Sequence, residues 1–387
     1  MIREELTMDD VKTIDNNAAP INETPGEEMP AAENQEKMFR KDFSAAGWRL
    51  ALFSIAVQTV AIIISVILAL IKKTGVTLPG YVSYFKTFIC IHCVGLGSAI
   101  LLFRLWGKDR NTKLPEKKLG FWNFVIIFMC VIGFSVPLAF LGNVPNIIIS
   151  MLAGGDLLSG NVALQIASQG SSTLLGNIFL ILFAVVFAPI VEELIFRKLL
   201  IDRVGKWGAI VSAIVSGLLF GLYHGNLSQV FYATFIGYVF ATVYLRTGRI
   251  RYSIMMHMLV NGINSVLMIP ILNIDINRLN TLLNEIIVLK TNEEIIDFLN
   301  GLSGADLSVI VSYFIFSIMA LLYFCFIFVS LVLSFVFIKK VFIFEAPFKC
   351  PFKIGKALKN AFLNPGIIAF IILCLLDFAS YYIGLFK

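Results

Sequence analysis

Residues 174–201 read LLGNIFLILFAVVFAPIVEELIFRKLLI. The run is long enough to cross a bilayer core, which takes about 20 apolar residues per helix. It also holds two adjacent carboxylates, Glu192 and Glu193, and a guanidinium, Arg197. Each such group at mid-helix costs roughly 2.5–3.5 kcal/mol on insertion scales, so a span that carries them has a polar task.

The surroundings favour a span. Eight further apolar runs lie at 50–71, 82–103, 121–141, 209–224, 229–245, 253–272, 307–338 and 366–385. The 387-residue chain is 58% hydrophobic and 14% charged, against about 25% charged in soluble domains. The expected fold is all-α: a polytopic transmembrane helical bundle of about nine spans embedded in the lipid bilayer. The net charge of +6 resides in alternate connections: six Lys/Arg over 104–118, four over 197–206, three over 246–251 and six over 339–359. The intervening connections hold two at Lys72 and Lys73, none over 142–173, none over 225–230 and two over 273–306. That asymmetry predicts a cytoplasmic N-terminus and a multi-pass protein of the cell membrane. A nucleic-acid-binding surface would not alternate with apolar runs, and no nucleic-acid partner is expected.

Three regions follow. Residues 1–47 are expected to form a disordered acidic cytoplasmic tail, since 1–49 carries eleven Asp/Glu, six Lys/Arg and few large apolar residues. It has no secretory-signal pattern, so the first span is expected to be an anchor. Residues 48–387 form the membrane domain. Within it, 174–267 bears the polar motifs, and 273–306 is an extramembrane insertion whose apolar spacing predicts an amphipathic helix on the outer surface. The six cysteines are scattered and suggest no disulfide framework.

Polar residues inside the spans supply the chemistry. Glu193 and Arg197 stand at i, i+4 and can pair, while Glu192, about 100° around the helix, is left to face a cavity. Pro189, one turn earlier, frees a carbonyl and is expected to kink the helix. Phe220-xxx-His224 closes the fifth span, and glycines 217, 221 and 225 give that helix a smooth face. His257-xxx-Asn261 places an imidazole and an amide on one face of the seventh. A carboxylate beside a neutral imidazole can take a proton from water, and a His–Asn pair can donate to an oxyanion. No Ser or Cys stands in a recognisable triad. Helix rise places Glu192 and Asn261 about 15 Å from the cytoplasmic surface but His224, counted from Trp207, about 25 Å deep. A tilted fifth span, or one that begins after Ala209, is needed to bring them together.

In this order, Glu192-Glu193-xxx-Arg197, Phe220-xxx-His224 and His257-xxx-Asn261 resemble the three motifs of the CAAX prenyl endopeptidase and bacteriocin-processing family of intramembrane proteases, the type II CAAX endopeptidases or Abi family. The resemblance covers 174–267, about a quarter of the chain. It implies a membrane peptide hydrolase in which Glu192 and His224 activate water, His257 and Asn261 hold the oxyanion, and Glu193 and Arg197 support Glu192. It implies a peptide or protein substrate, membrane-anchored or prenylated. No cofactor is required by this scheme. The alternative is a catalytic zinc held by Glu192, His224 and His257, with water in the fourth position. A non-catalytic scaffold or bacteriocin-immunity-type protein of the same fold is the competing functional class.

Two further signals are set aside. His92, between Cys90 and Cys93, lacks additional ligands at workable spacing and reads as a satisfied core histidine. Gly301-Leu302-Ser303-Gly304 looks like a rhomboid serine-protease signature, but no histidine follows His257 to serve as base, so it reads as a turn.

Overall fold

The computed structural model describes residues 32–78, 82–106, 112–154, 178–179, 181–273, 275–339 and 348–385. Among these the chain is all-α, with twelve helices and no strand. In chain order they are α1 (Ala32–Lys73), α2 (82–104), α3 (Phe121–Leu152), α4 (182–204), α5 (Ala209–Tyr223), α6 (Leu227–Thr247), α7 (Arg251–Asn273), α8 (Ile276–Ile287), α9 (Asn292–Gly301), α10 (Gly304–Val336), α11 (Ile354–Phe362) and α12 (Pro365–Leu385). Six stretches among the described residues are long and apolar enough to cross a bilayer: Glu33–Lys73, Phe85–Arg104, Phe121–Leu152, Leu227–Thr247, Gly304–Val336 and Pro365–Gly384. The chain is a multi-pass integral membrane protein. Helix α5 is apolar but only 15 residues long, while α4 and α7 carry the polar motif residues. The connection at 155–177 lies outside the described residues.

The chain divides into two units, Met1–Met38 and Phe39–Lys387, and everything below concerns the second. The disordered tail expected over 1–47 is corrected over 32–47. Residues 1–31 lie outside the described residues, but from Ala32 the chain is helical. Phe39, Phe43, Ala46 and Leu50 are completely buried. Their spacing of four, three and four residues is one stripe of a helix, which a reading of the segment's average polarity overlooks. Asp42, on the same turn, accepts a hydrogen bond from the Trp207 indole at 2.9 Å and pairs with Lys206 at 2.9 Å. Trp207 is therefore sealed beneath α1.

One apolar core joins α1, α2, α4, α5 and α12 through residues such as Phe43, Phe103, Phe196, Phe220 and Phe370, and a second joins α3, α6 and α7. Helix α5 meets α6 at backbone distance. A β-carbon on Gly217 would lie 2.6 Å from the Tyr238 nitrogen, and one on Gly221 would collide with the Thr234 hydroxyl. Gly225, grouped by sequence with that smooth face, instead forms the turn after α5, with φ +65°, a conformation glycine adopts without penalty.

The insertion at 273–306 contains two helices, α8 and α9, where one was expected. Thr291 caps α9 in a reciprocal capping box with Glu294, which starts a new helix after the break. Leu279 and Leu282 are the buried face of α8, and its Arg278 pairs with Asp306 at 2.5 Å. Ser303 is the N-cap of α10, consistent with a turn at 301–304.

Candidate active site

Helix α4 is irregular where the chemistry lies. A π-helical turn, Leu182–Phe187, precedes the regular turn Ala188–Glu193, which opens on Pro189, and a second π-helical turn, Leu194–Leu199, follows. Proline has no N–H to donate, and shifting the ladder to i→i+5 accommodates that loss. The expected kink is taken up as these two bulges, a feature common at functional sites.

Glu193 and Arg197, both with fully buried side chains, face each other with Nε 3.1 Å from Oε2. The pair is an ion pair without the alignment of a directed hydrogen bond, and Arg197 Nη1 is also left without a hydrogen-bond partner. The guanidinium lies over the Phe220 ring at 4.4 Å and reaches toward the Phe240 ring at 5.8 Å. Cation–π attraction thus supplements an incomplete polar shell. The other Glu193 oxygen is 3.0 Å from His257 Nδ1. A carboxylate only accepts, so His257 carries its proton on Nδ1 and turns Nε2 the other way. Nε2 lies 3.7 Å from Glu192 Oε2, whose side chain retains 16% exposure. The two adjacent glutamates therefore hold opposite edges of one imidazole, one sealed and one open.

His224 is the C-cap of α5. Its Nδ1 donates to the Phe220 carbonyl at 2.8 Å, which leaves Nε2 unengaged. Its ring meets Phe220 edge-on at 4.8 Å, and Phe220 meets His257 at 5.7 Å. His224 also lies within electrostatic reach of Glu192, His257 and Arg197. Whatever the depth counted from Trp207, the Phe220 ring brings the two imidazoles to the same place. Trp207 belongs to a buried 3-10 turn ahead of α5. Asn261 donates one amide hydrogen to the Ala184 carbonyl at 2.8 Å, within the first π-helical turn of α4. Its second amide hydrogen remains for another acceptor.

Both imidazoles have Nδ1 engaged and Nε2 presented, the orientation used by metal-bound and by proton-transferring histidines alike. Among the described residues, however, no three His, Cys, Asp or Glu side chains are placed to hold a metal ion. The zinc set Glu192, His224 and His257 does not fit a metal as arranged here.

Several residues of the site escaped the sequence reading. Buried Asn226 holds the turn after α5: its Nδ2 donates to the His224 carbonyl at 2.8 Å and its Oδ1 accepts from Ser228 and Gln229 at 2.7 and 3.1 Å. The Asn-x-x-Gln spacing ahead of α6 is a helix-cap pattern that could have flagged it. The Tyr382 hydroxyl accepts from the Leu227 N–H at 3.0 Å and donates to Asn146 at 2.6 Å, tying α12 and α3 to the same turn. Gln58 of α1 and Asp377 of α12 bond each other beside it. His92 is buried as expected and stacked on Phe88 at 5.3 Å, with the Thr87 and Phe88 backbone as its polar neighbours, although neither ring nitrogen is well aligned for a hydrogen bond.

The stretch that bears the motif residues is similar to known membrane proteases. Residues 174–263 match the family described as type II CAAX prenyl endopeptidase Rce1-like. The putative membrane peptidase YdiL of Bacillus subtilis is 32% identical over 83 residues, 21% of this chain and 34% of that protein. The membrane-embedded CAAX protease MroQ of Staphylococcus aureus is 25% identical over 202 residues, 50% of this chain and 77% of that protein. The chain thus spans about a third of the length of YdiL and about three quarters of MroQ. No solved structure gives a significant match.

Proposed function

We propose that this chain, with an Rce1-like domain of the type II CAAX prenyl endopeptidases over residues 174–263, is an intramembrane endopeptidase acting on a membrane-associated peptide or protein. Prenylated peptides are one member of that substrate class. The observation that carries the reading is the bridging of Arg197 and His257 by sealed Glu193, which presents His257 Nε2 to the open carboxylate of Glu192. A scaffold gains little from such an arrangement. Interhelical hydrogen bonds in a bilayer contribute about 0.6 kcal/mol each, while buried charges are costly.

In the proposed reaction Glu192 takes a proton from water, assisted by the Nε2 lone pair of His224. The hydroxide attacks the scissile carbonyl, and the negative charge develops on its oxygen. Asn261, anchored by Ala184, donates its remaining amide hydrogen to that oxygen, and His257 donates from Nε2 when its ring carries both protons. Such an imidazolium would be flanked by Glu192 and Glu193, and with Arg197 the cluster is neutral: two carboxylates and two cations. The proton on Glu192 then passes to the leaving amine. Glu193 and Arg197 act through orientation and charge balance and touch no reacting atom.

Asn261→Ala is expected to lower kcat by roughly 100-fold with a much smaller change in KM, as befits a donor used only in the transition state. Steady-state kinetics on a cleaved peptide check this, and a loss confined to KM would remove Asn261 from that role. Metal dependence is tested by exhaustive chelation of the purified protein, with bound metal counted. Cleavage is expected to persist without stoichiometric zinc. Activity lost to chelation and restored by zinc would replace the glutamate mechanism with a metal one. Failure of the purified protein to cleave any membrane peptide would favour the scaffold reading.

A further inference from the structure

Asp377 is the one charged residue in α12, in an otherwise apolar span. A carboxylate there is costly enough to call for a partner. Its partner is neutral: the Gln58 amide of α1 donates to both carboxylate oxygens, at 2.8 and 2.7 Å. No cation joins this pair among the described residues. Both side chains are only half-buried, so the carboxylate keeps an approachable face. The pair sits beside the catalytic turn. A β-carbon on Gly225, next to His224, would lie 3.5 Å from the Asp377 β-carbon, which sets the carboxylate's own helix against that turn. Tyr223 lies within electrostatic reach of both Glu192 and Asp377.

We propose that Asp377, held by Gln58, is a specificity-determining residue that binds an ammonium or guanidinium group of the substrate close to its scissile bond. The inference rests on the peptidase reading and narrows its substrate class to membrane peptides with a basic group near the cleavage position. An anion with two neutral hydrogen bonds in a low-dielectric setting retains its attraction for a cation, and a charge-assisted hydrogen bond to a basic side chain completes its shell. A bare apolar helix contact at this place would need neither the Asp nor the Gln.

The test uses full-length protein in nanodiscs and a set of N-acetylated, fluorescent hydrophobic peptides that differ by one Lys or one norleucine, placed in turn at each position. A further peptide carries a free N-terminus and no Lys, which separates a side-chain cation from an α-ammonium. Binding is read on Glu192→Gln protein, and cleavage on protein with Glu192 intact. At one or two positions Lys is expected to tighten binding by about tenfold or more over norleucine. Asp377→Asn should bring that ratio to within about twofold of unity. Gln58→Lys should do the same, because it supplies an internal ammonium to the same carboxylate, and by keeping Asp377 paired it guards against misfolding. A Lys preference that survives both substitutions, or no preference at any position, overturns the assignment. Charge-selective binding that depends on Asp377 without cleavage of any peptide would support this site and overturn the peptidase reading instead.

Discussion

Glu192→Gln is expected to cut turnover by roughly 100- to 10,000-fold, the contribution usual for a positioned general base, with no loss of thermal stability. The expectation follows from how differently the two adjacent glutamates are held. Glu192 meets the His257 ring only at 3.7 Å and its side chain is partly open, so an amide of the same shape leaves the packing intact. Turnover and melting temperature measured on the same preparation check both halves. Substantial turnover in Glu192→Gln would remove this residue as the base, and a large fall in melting temperature would make it structural.

Glu193→Gln should behave in the opposite way, with stability and activity falling together. The substitution leaves Arg197 as an uncompensated cation at complete burial, a class of change that costs about 3–5 kcal/mol. It also exchanges the carboxylate that fixes the His257 tautomer for an amide that can present its N–H to Nδ1. Replacing both members of the pair with apolar residues, as in Glu193→Leu with Arg197→Met, should recover much of the stability and none of the turnover. Denaturation midpoints and turnover of the single and double variants decide the matter. A double variant that regained activity would show that Glu193 serves folding alone.

The sequence made α4, α5 and α7 legible as the carriers of chemistry because polar residues stand out against apolar helices. Spacing alone placed Glu193 opposite Arg197 and put His257 on one face with Asn261. What escaped has physical causes. The π-helical turns around Pro189 alter the register of α4, and no periodicity announces them. Phe39, Phe43 and Ala46 are few enough among charged residues that the segment averages as polar, although they share one helix face. The cover of α1 over Trp207 could not be read either, because it is a contact 165 residues apart in sequence through Asp42. Asp377, the one charge in the apolar run 366–385, was passed over. Its place beside Gly225 depends on the packing of α12 against α5, which pairs elements remote in the chain.

Hydrolysis itself is read most directly by isotope incorporation. Purified protein reconstituted in lipid is incubated in H2 18O with membrane peptides extracted from cells that lack it, and the products are read by mass spectrometry. The account predicts new peptides whose C-terminal carboxylate carries one 18O atom, formed with the native protein and not with Glu192→Gln. New C-termini formed equally by both proteins, or by neither, would contradict it.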